Sequence, residues 1–184
     1  MAQKATVFKA TLQIADIDRG LYANHQLTLA RHPSETDERM MIRLLAFALC
    51  VPADARDGGL EFAKGMWDPD EPELWQKDLT GRIVQWIEVG QPEERRLAKA
   101  SGRADRVSVF AFGTSATSWW AGLGSRIARA RNIEAWRIAP EQSRELAGIA
   151  ARGMQLQLNR QDGVVWVSDG ERSVQIAPER LGVT

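Results

Sequence analysis

The segment from Arg82 to Phe112 constrains the fold of this chain more than any other. Read as an extended strand, Arg82 to Val89 carries Ile83, Ile87 and Val89 on one face and Val84 and Trp86 on the other. A strand apolar on both faces must be covered on both, which places it inside a sheet. Gly90 then breaks the strand, and Pro92 suits the first position of a helix ending near Gly102 to Ala104. A second apolar strand follows at Arg106 to Phe112. A strand, helix, strand crossover of this kind sets the two strands parallel with a right-handed connection. The chain is therefore read as α/β.

The same alternation continues with a helix from about Ser115 to Ala130, a strand from Ile133 to Ile138 and a helix from Pro140 to Ala151. Ahead of it, Val7 to Ala15 and Tyr22 to Ala30 alternate apolar and polar residues around the turn Asp16 to Gly20, which predicts an antiparallel hairpin. Ser34 is placed to cap a helix that runs to about Cys50, with Asp37 as its acidic partner. Leu60 to Ala63 fits a short strand, whereas Glu73 to Lys77 carries no pattern that assigns it. The tail alternates again around Asp162-Gly163 and Asp169-Gly170, as in a three-stranded antiparallel meander over residues 153–177. The expectation is one domain: a central mixed sheet flanked by helices over residues 34–139, with the hairpin before it and the meander after it.

Composition excludes several classes. With 44% hydrophobic residues and seven tryptophans in 184 residues, the chain is that of a folded domain and not of a disordered one. Met1 to Lys9 lacks the pattern of a signal peptide, and no run approaches the roughly 20 apolar residues that span a bilayer, so a cytoplasmic location is expected. The one cysteine, Cys50, ends an apolar helical run and reads as a buried structural thiol. The formal net charge of zero hides two opposed segments. Arg31 to Glu94 holds seven Lys and Arg against fourteen Asp and Glu, and Arg95 to Arg144 holds ten against three. Either the two segments neutralise each other across one surface, or an acidic cleft stands beside a basic rim from Arg95 to Arg144 that contacts nucleic acid.

Two carboxylates sit where carboxylates are costly. Glu38 shares the helical stripe of Met41, Ile42, Leu45 and Leu49, so it either needs a partner in the core or lies partly solvated in the first turn, favoured by the helix dipole. Glu88 ends a strand that is otherwise apolar, just before Gly90. The crevice beyond the carboxyl ends of parallel strands is the usual ligand site of an open α/β sheet. The alternative for Glu88 is a plain ion pair with Arg95 or Arg96. Arg96, Lys99 and Arg103 share one face of the helix after Gly90, which a solvated basic face explains as well as a functional one does.

Four stretches carry a family resemblance: Gly59 to Gly65 (GLEFAKG), Asp68 to Pro72 (DPDEP), Leu74 to Gly81 (LWQKDLTG) and Trp86 to Pro92 (WIEVGQP). With them the chain resembles the YaeQ family over essentially its full length. The resemblance implies a variant of the PD-(D/E)XK restriction-endonuclease-like fold, and it implies no established activity. On that superfamily's pattern Glu38, Asp78 and Glu88 would together hold Mg²⁺ or Mn²⁺, ions that take hard oxygen ligands. The superfamily's lysine, two residues after the strand-end acid, is here Gly90, so Gln91 or Lys99 would have to take its part. Two functions stand open at this point. One is a metal-dependent nuclease hydrolysing phosphodiesters of DNA or RNA. The other is a non-catalytic protein that binds nucleic acid or a protein partner on the same scaffold.

Overall fold

A computed structural model describes residues 4–182, so residues 1–3 of the amino-terminal stretch read above for an export signal lie outside the described residues. The hairpin forms as β1 (Thr6–Asp16) and β2 (Leu21–Arg31), paired over their full lengths. Helix α1 (Asp37–Cys50) follows, then β3 (Leu60–Phe62), β4 (Leu74–Lys77) and β5 (Ile83–Val89). The crossover helix α2 (Glu94–Arg103) leads to β6 (Ala104–Phe112), α3 (Ala116–Ile127), β7 (Ile133–Ile138) and α4 (Pro140–Ala147). The tail supplies β8 (Gly153–Gln161), β9 (Val164–Ser168), β10 (Ser173–Ile176) and β11 (Glu179–Leu181).

The strands make two sheets where the sequence pointed to one central sheet with appendages. The six-stranded sheet has the order β11-β7-β6-β5-β4-β3, with β5, β6 and β7 parallel and the others antiparallel. In it β5 is interior and β6 lies parallel beside it, as its two apolar faces require. The five-stranded sheet, β10-β9-β8-β1-β2, fuses the hairpin with the meander through parallel pairing of β1 and β8, with Leu12 beside Leu156 and Ile14 beside Leu158. Both segments had half-buried alternation, and each supplies the other's missing neighbour.

Helix α1 lies between the sheets, which explains its composition. Met40 to Ala48 are buried without a break, on every side of the helix, and Arg43 is among them. The core around α1 takes Leu12, Leu29 and Leu158 from one sheet and Ile87, Val89 and Phe110 from the other. A second core on the far side of the six-stranded sheet joins Trp86, Val107 and Val109 to Leu97 and Ala100 of α2 and Leu123 and Ile127 of α3. Burying one such large side chain contributes about 1.5–3 kcal/mol. The cap of α1 is Thr36, which accepts from the Arg39 amide at 3.1 Å, two residues later than the Ser34 expected. Among the described residues no helix is long and apolar enough to cross a membrane.

Candidate functional site

Glu88 lies one residue from the carboxyl end of β5 and is 2% exposed. Its Oε1 accepts from Trp86 Nε1 at 2.7 Å and from Arg96 Nε at 2.8 Å. Arg96 extends from the first turns of α2, and its other nitrogens donate to the carbonyls of Pro69 at 2.8 Å and Glu71 at 2.7 Å. One guanidinium thus clamps the strand-end acid to the loop that carries the Asp68 to Pro72 motif. Burial pushes the Glu88 carboxyl above its ordinary value, the Arg96 charge and the Trp86 and Arg96 hydrogen bonds pull it back, and the nearby Glu73 charge pushes it up again.

Glu73 is the acid that the structure sets beside Glu88. The register of β4 on β5 pairs Leu74 with Ile87, and the Glu73 amide donates to the Ile87 carbonyl at 3.1 Å, one step before the strand proper. Glu73 is 4% exposed and pairs with Arg39, while Arg43 Nε stands 3.9 Å away. Buried Glu35 completes the set, accepting from Arg39 Nη1 at 2.6 Å and Arg43 Nη2 at 2.5 Å. Gly65, at φ +52°, gives Glu73 its room: any side chain there would run into the Glu73 carboxylate. Arg39, Glu73, Glu88, Gln91 and Arg96 line a cleft of about 380 Å³ beyond the carboxyl end of β5.

The three carboxylates named from the sequence are held apart, each on its own partners. Glu38 accepts from Ser143 Oγ of α4 at 2.6 Å, so it faces a neighbouring helix and is half-buried. Asp78 closes the β4–β5 turn, accepting from Thr80 Oγ1 at 2.6 Å, the Thr80 amide at 2.8 Å and the Arg82 amide at 3.0 Å. Those bonds, the Thr80 hydroxyl's foremost, hold its carboxyl below the usual range. Glu88 alone of the three lines the cleft. Lys99 pairs with Asp70, and that hydrogen bond lowers the Asp70 carboxyl. Gln91 is turned across to the next connection, donating to the Phe112 carbonyl at 3.0 Å and to Ser115 Oγ at 2.9 Å.

Mg²⁺ or Mn²⁺ needs free anionic oxygens grouped within about 2.0–2.6 Å of one point. The acids of the cleft, Glu73 and Glu88, are instead closed by guanidinium groups, so the residues present do not fit such an ion. Among the described residues no group of three or more His, Cys, Asp or Glu stands together to hold a metal. The opposed charge segments are joined by ion pairs, Arg96 to Glu88, Lys99 to Asp70, Arg126 to Glu94 and Arg82 to Asp105.

Glu73, Arg39 and the central place of Arg96 were missed as site residues. The register that pairs Gln76 with Gln85, Trp75 with Trp86 and Leu74 with Ile87, continued one step, sets Glu73 opposite Glu88, while a β-bulge between Gln76 and Lys77 sets Lys77 opposite Ile83.

Fold and cleft together define a two-sheet α/β protein whose strand-end acids are locked by arginines. A family model described as YaeQ protein matches residues 1–178, and the chain belongs to the YaeQ family. It is 42% identical over 177 residues to the Uncharacterized protein YaeQ of Escherichia coli (strain K12), covering 96% of this chain and 95% of that protein. The crystal structure of the YaeQ protein from Xanthomonas axonopodis pv. citri superposes with a TM-score of 0.90 at 44% identity, over 98% of this chain and 99% of that one. That of the YaeQ protein from Pseudomonas syringae superposes with a TM-score of 0.90 at 35% identity, over 98% of each chain.

Proposed function

We propose that this chain is a non-catalytic binding protein on a nuclease-like scaffold, and that it recognises a polypeptide segment at the cleft beyond β5. The observation that carries the reading is the arginine closure of Glu88 and Glu73. A working phosphodiesterase needs its carboxylates open to a cation and a positive group free to stabilise developing charge. Here Lys99, Gln91 and Arg96 are all bonded to other parts of the chain. At the cleft mouth Met66 is 40% exposed and its neighbour Trp67 is 43% exposed. Large apolar side chains left in solvent beside a polar cleft are the usual anchors of a protein interface.

The test is an assay of single- and double-stranded DNA and RNA with the purified protein in Mg²⁺ and in Mn²⁺, run beside Mn²⁺ calorimetry. The expected result is no cleavage and no saturable ion binding. Metal-dependent cleavage that disappears in Glu88→Gln or falls in Lys99→Met would overturn the reading in favour of the nuclease. The positive arm is a partner protein whose binding survives in Leu79→Ser, far from the cleft, and is lost in Met66→Ser with Trp67→Ser.

A further inference from the structure

A second cavity lies toward the amino ends of β6 and β7, where the two sheets part, away from the cleft at the carboxyl end of β5. It holds about 310 Å³, at the lower end of the range of small-molecule sites. Leu49, Phe110, Trp136 and Pro178 form apolar walls, and Arg106 and Glu134 bring charges to it. The register explains the grouping. Phe110 pairs with Trp136 and Ser108 with Glu134, so Arg106, Ser108, Phe110, Glu134 and Trp136 share the sheet face that looks toward α1.

The charges around this cavity divide into spent and unspent. Arg19 is consumed: its Nε donates to Asp16 at 2.6 Å, and its terminal nitrogens close the end of α1 on the carbonyls of Val51 and Ala48, both at 2.8 Å. Arg160 lies 3.4 Å from Asp16 and 3.3 Å from Asp18. Arg106 and Glu134 differ. Arg106 donates to the neutral amide of Gln85 at 2.6 Å, and Glu134 accepts from the Ser108 hydroxyl at 3.0 Å. Among the described residues neither forms an ion pair, with each other or with any other group. One cation and one anion are thus presented, unpaired, from positions two residues apart on adjacent strands, on the order of 8 Å at their Cα atoms.

We propose that this cavity binds a free α-amino acid with a large apolar side chain, its carboxylate on Arg106, its ammonium on Glu134 and its side chain against Trp136 and Phe110. A zwitterion satisfies both charges at once, whereas an acid or an amine satisfies one and leaves the other unanswered. The cavity of about 310 Å³ has the volume for a phenyl or a branched aliphatic group, and an aromatic ring beside Trp136 and Phe110 would stack or meet them edge to face. Arg106 offers the planar fork that matches a carboxylate with two parallel bonds.

The experiment follows the Trp136 indole signal of the full chain in a ¹⁵N-labelled sample titrated with three compounds of one shape. L-phenylalanine has both charges, 3-phenylpropionate lacks the ammonium and phenethylamine lacks the carboxylate. L-phenylalanine is expected to saturate with a Kd below about 1 mM, and each truncated compound to bind at least roughly tenfold more weakly, the worth of one charge-assisted contact. Arg106→Gln should abolish the advantage of L-phenylalanine over phenethylamine, and Glu134→Gln its advantage over 3-phenylpropionate. Arg106 is solvent-exposed, so its variant should fold, and should it not, the Glu134 variant decides alone. Absence of saturation at about 10 mM, equal binding of the three compounds, or indifference to both substitutions would each overturn the proposal.

Discussion

Replacing Arg96 with methionine removes the clamp on Glu88 and keeps most of the side-chain bulk. Three hydrogen bonds go with it: one to a carboxylate 3% exposed and two to the carbonyls of Pro69 and Glu71. Removing one partner of a buried ion pair costs about 3–5 kcal/mol, because the other charge stays behind without an answer. Glu88 has a way to relieve that cost, which is to take up a proton. Its carboxyl already stands above the ordinary value through burial, and without Arg96 it rises further. A folded-state value above the unfolded one means that the folded protein keeps a proton the unfolded chain has released. Stability therefore falls as pH rises from the unfolded value toward the folded one, by as much as about 1.4 kcal/mol per unit for this one group. Urea unfolding at pH 7.5 should show the loss of about 3–5 kcal/mol, and at pH 5.5 a clearly smaller one. Adding Glu88→Gln to the variant should recover much of the loss at pH 7.5 and flatten its pH dependence. A loss under about 1 kcal/mol, or one equal at both pH values, would show that Glu88 is not the buried, arginine-dependent acid described here.

Two further substitutions or reactions probe the frame around the site. Gly58 has φ +85°, and a side chain there would meet the Lys77 backbone carbonyl, so Gly58→Ala should lower stability by on the order of 2 kcal/mol or more in thermal or urea unfolding. Burial pushes the Cys50 thiol up to about 12, so iodoacetamide at pH 8 should leave the native protein unmodified and alkylate it at the rate of a free thiol in urea.

Much of the fold was legible in local chemistry. Alternation in β1 and β2, the doubly apolar β5, Gly90 at φ +96° and the helix behind Pro92 all follow from side-chain period and backbone freedom, which act within a few residues. The limits of what is legible are equally physical. Alternation in Val7 to Ala15 and in Leu156 to Leu158 says that each segment buries one face, but their parallel pairing closes a loop of more than 140 residues, and no local rule selects it. Met40 to Ala48 read as a stripe plus neighbours, and only the second sheet explains why every side of α1 is buried. Three-residue β11 has no pattern of its own and exists because β7 offers an open edge. At the site, the sequence by itself determined that Glu88 stands at a strand end before a glycine turn. Tertiary structure decided what answers it, setting Glu73 beside it through the β4–β5 register, turning Glu38 to Ser143 and placing Arg96 on its oxygen. A carboxylate's position along its own strand or helix is a local property, whereas its partner is whichever charge the packing of distant segments brings within about 3 Å before water is excluded.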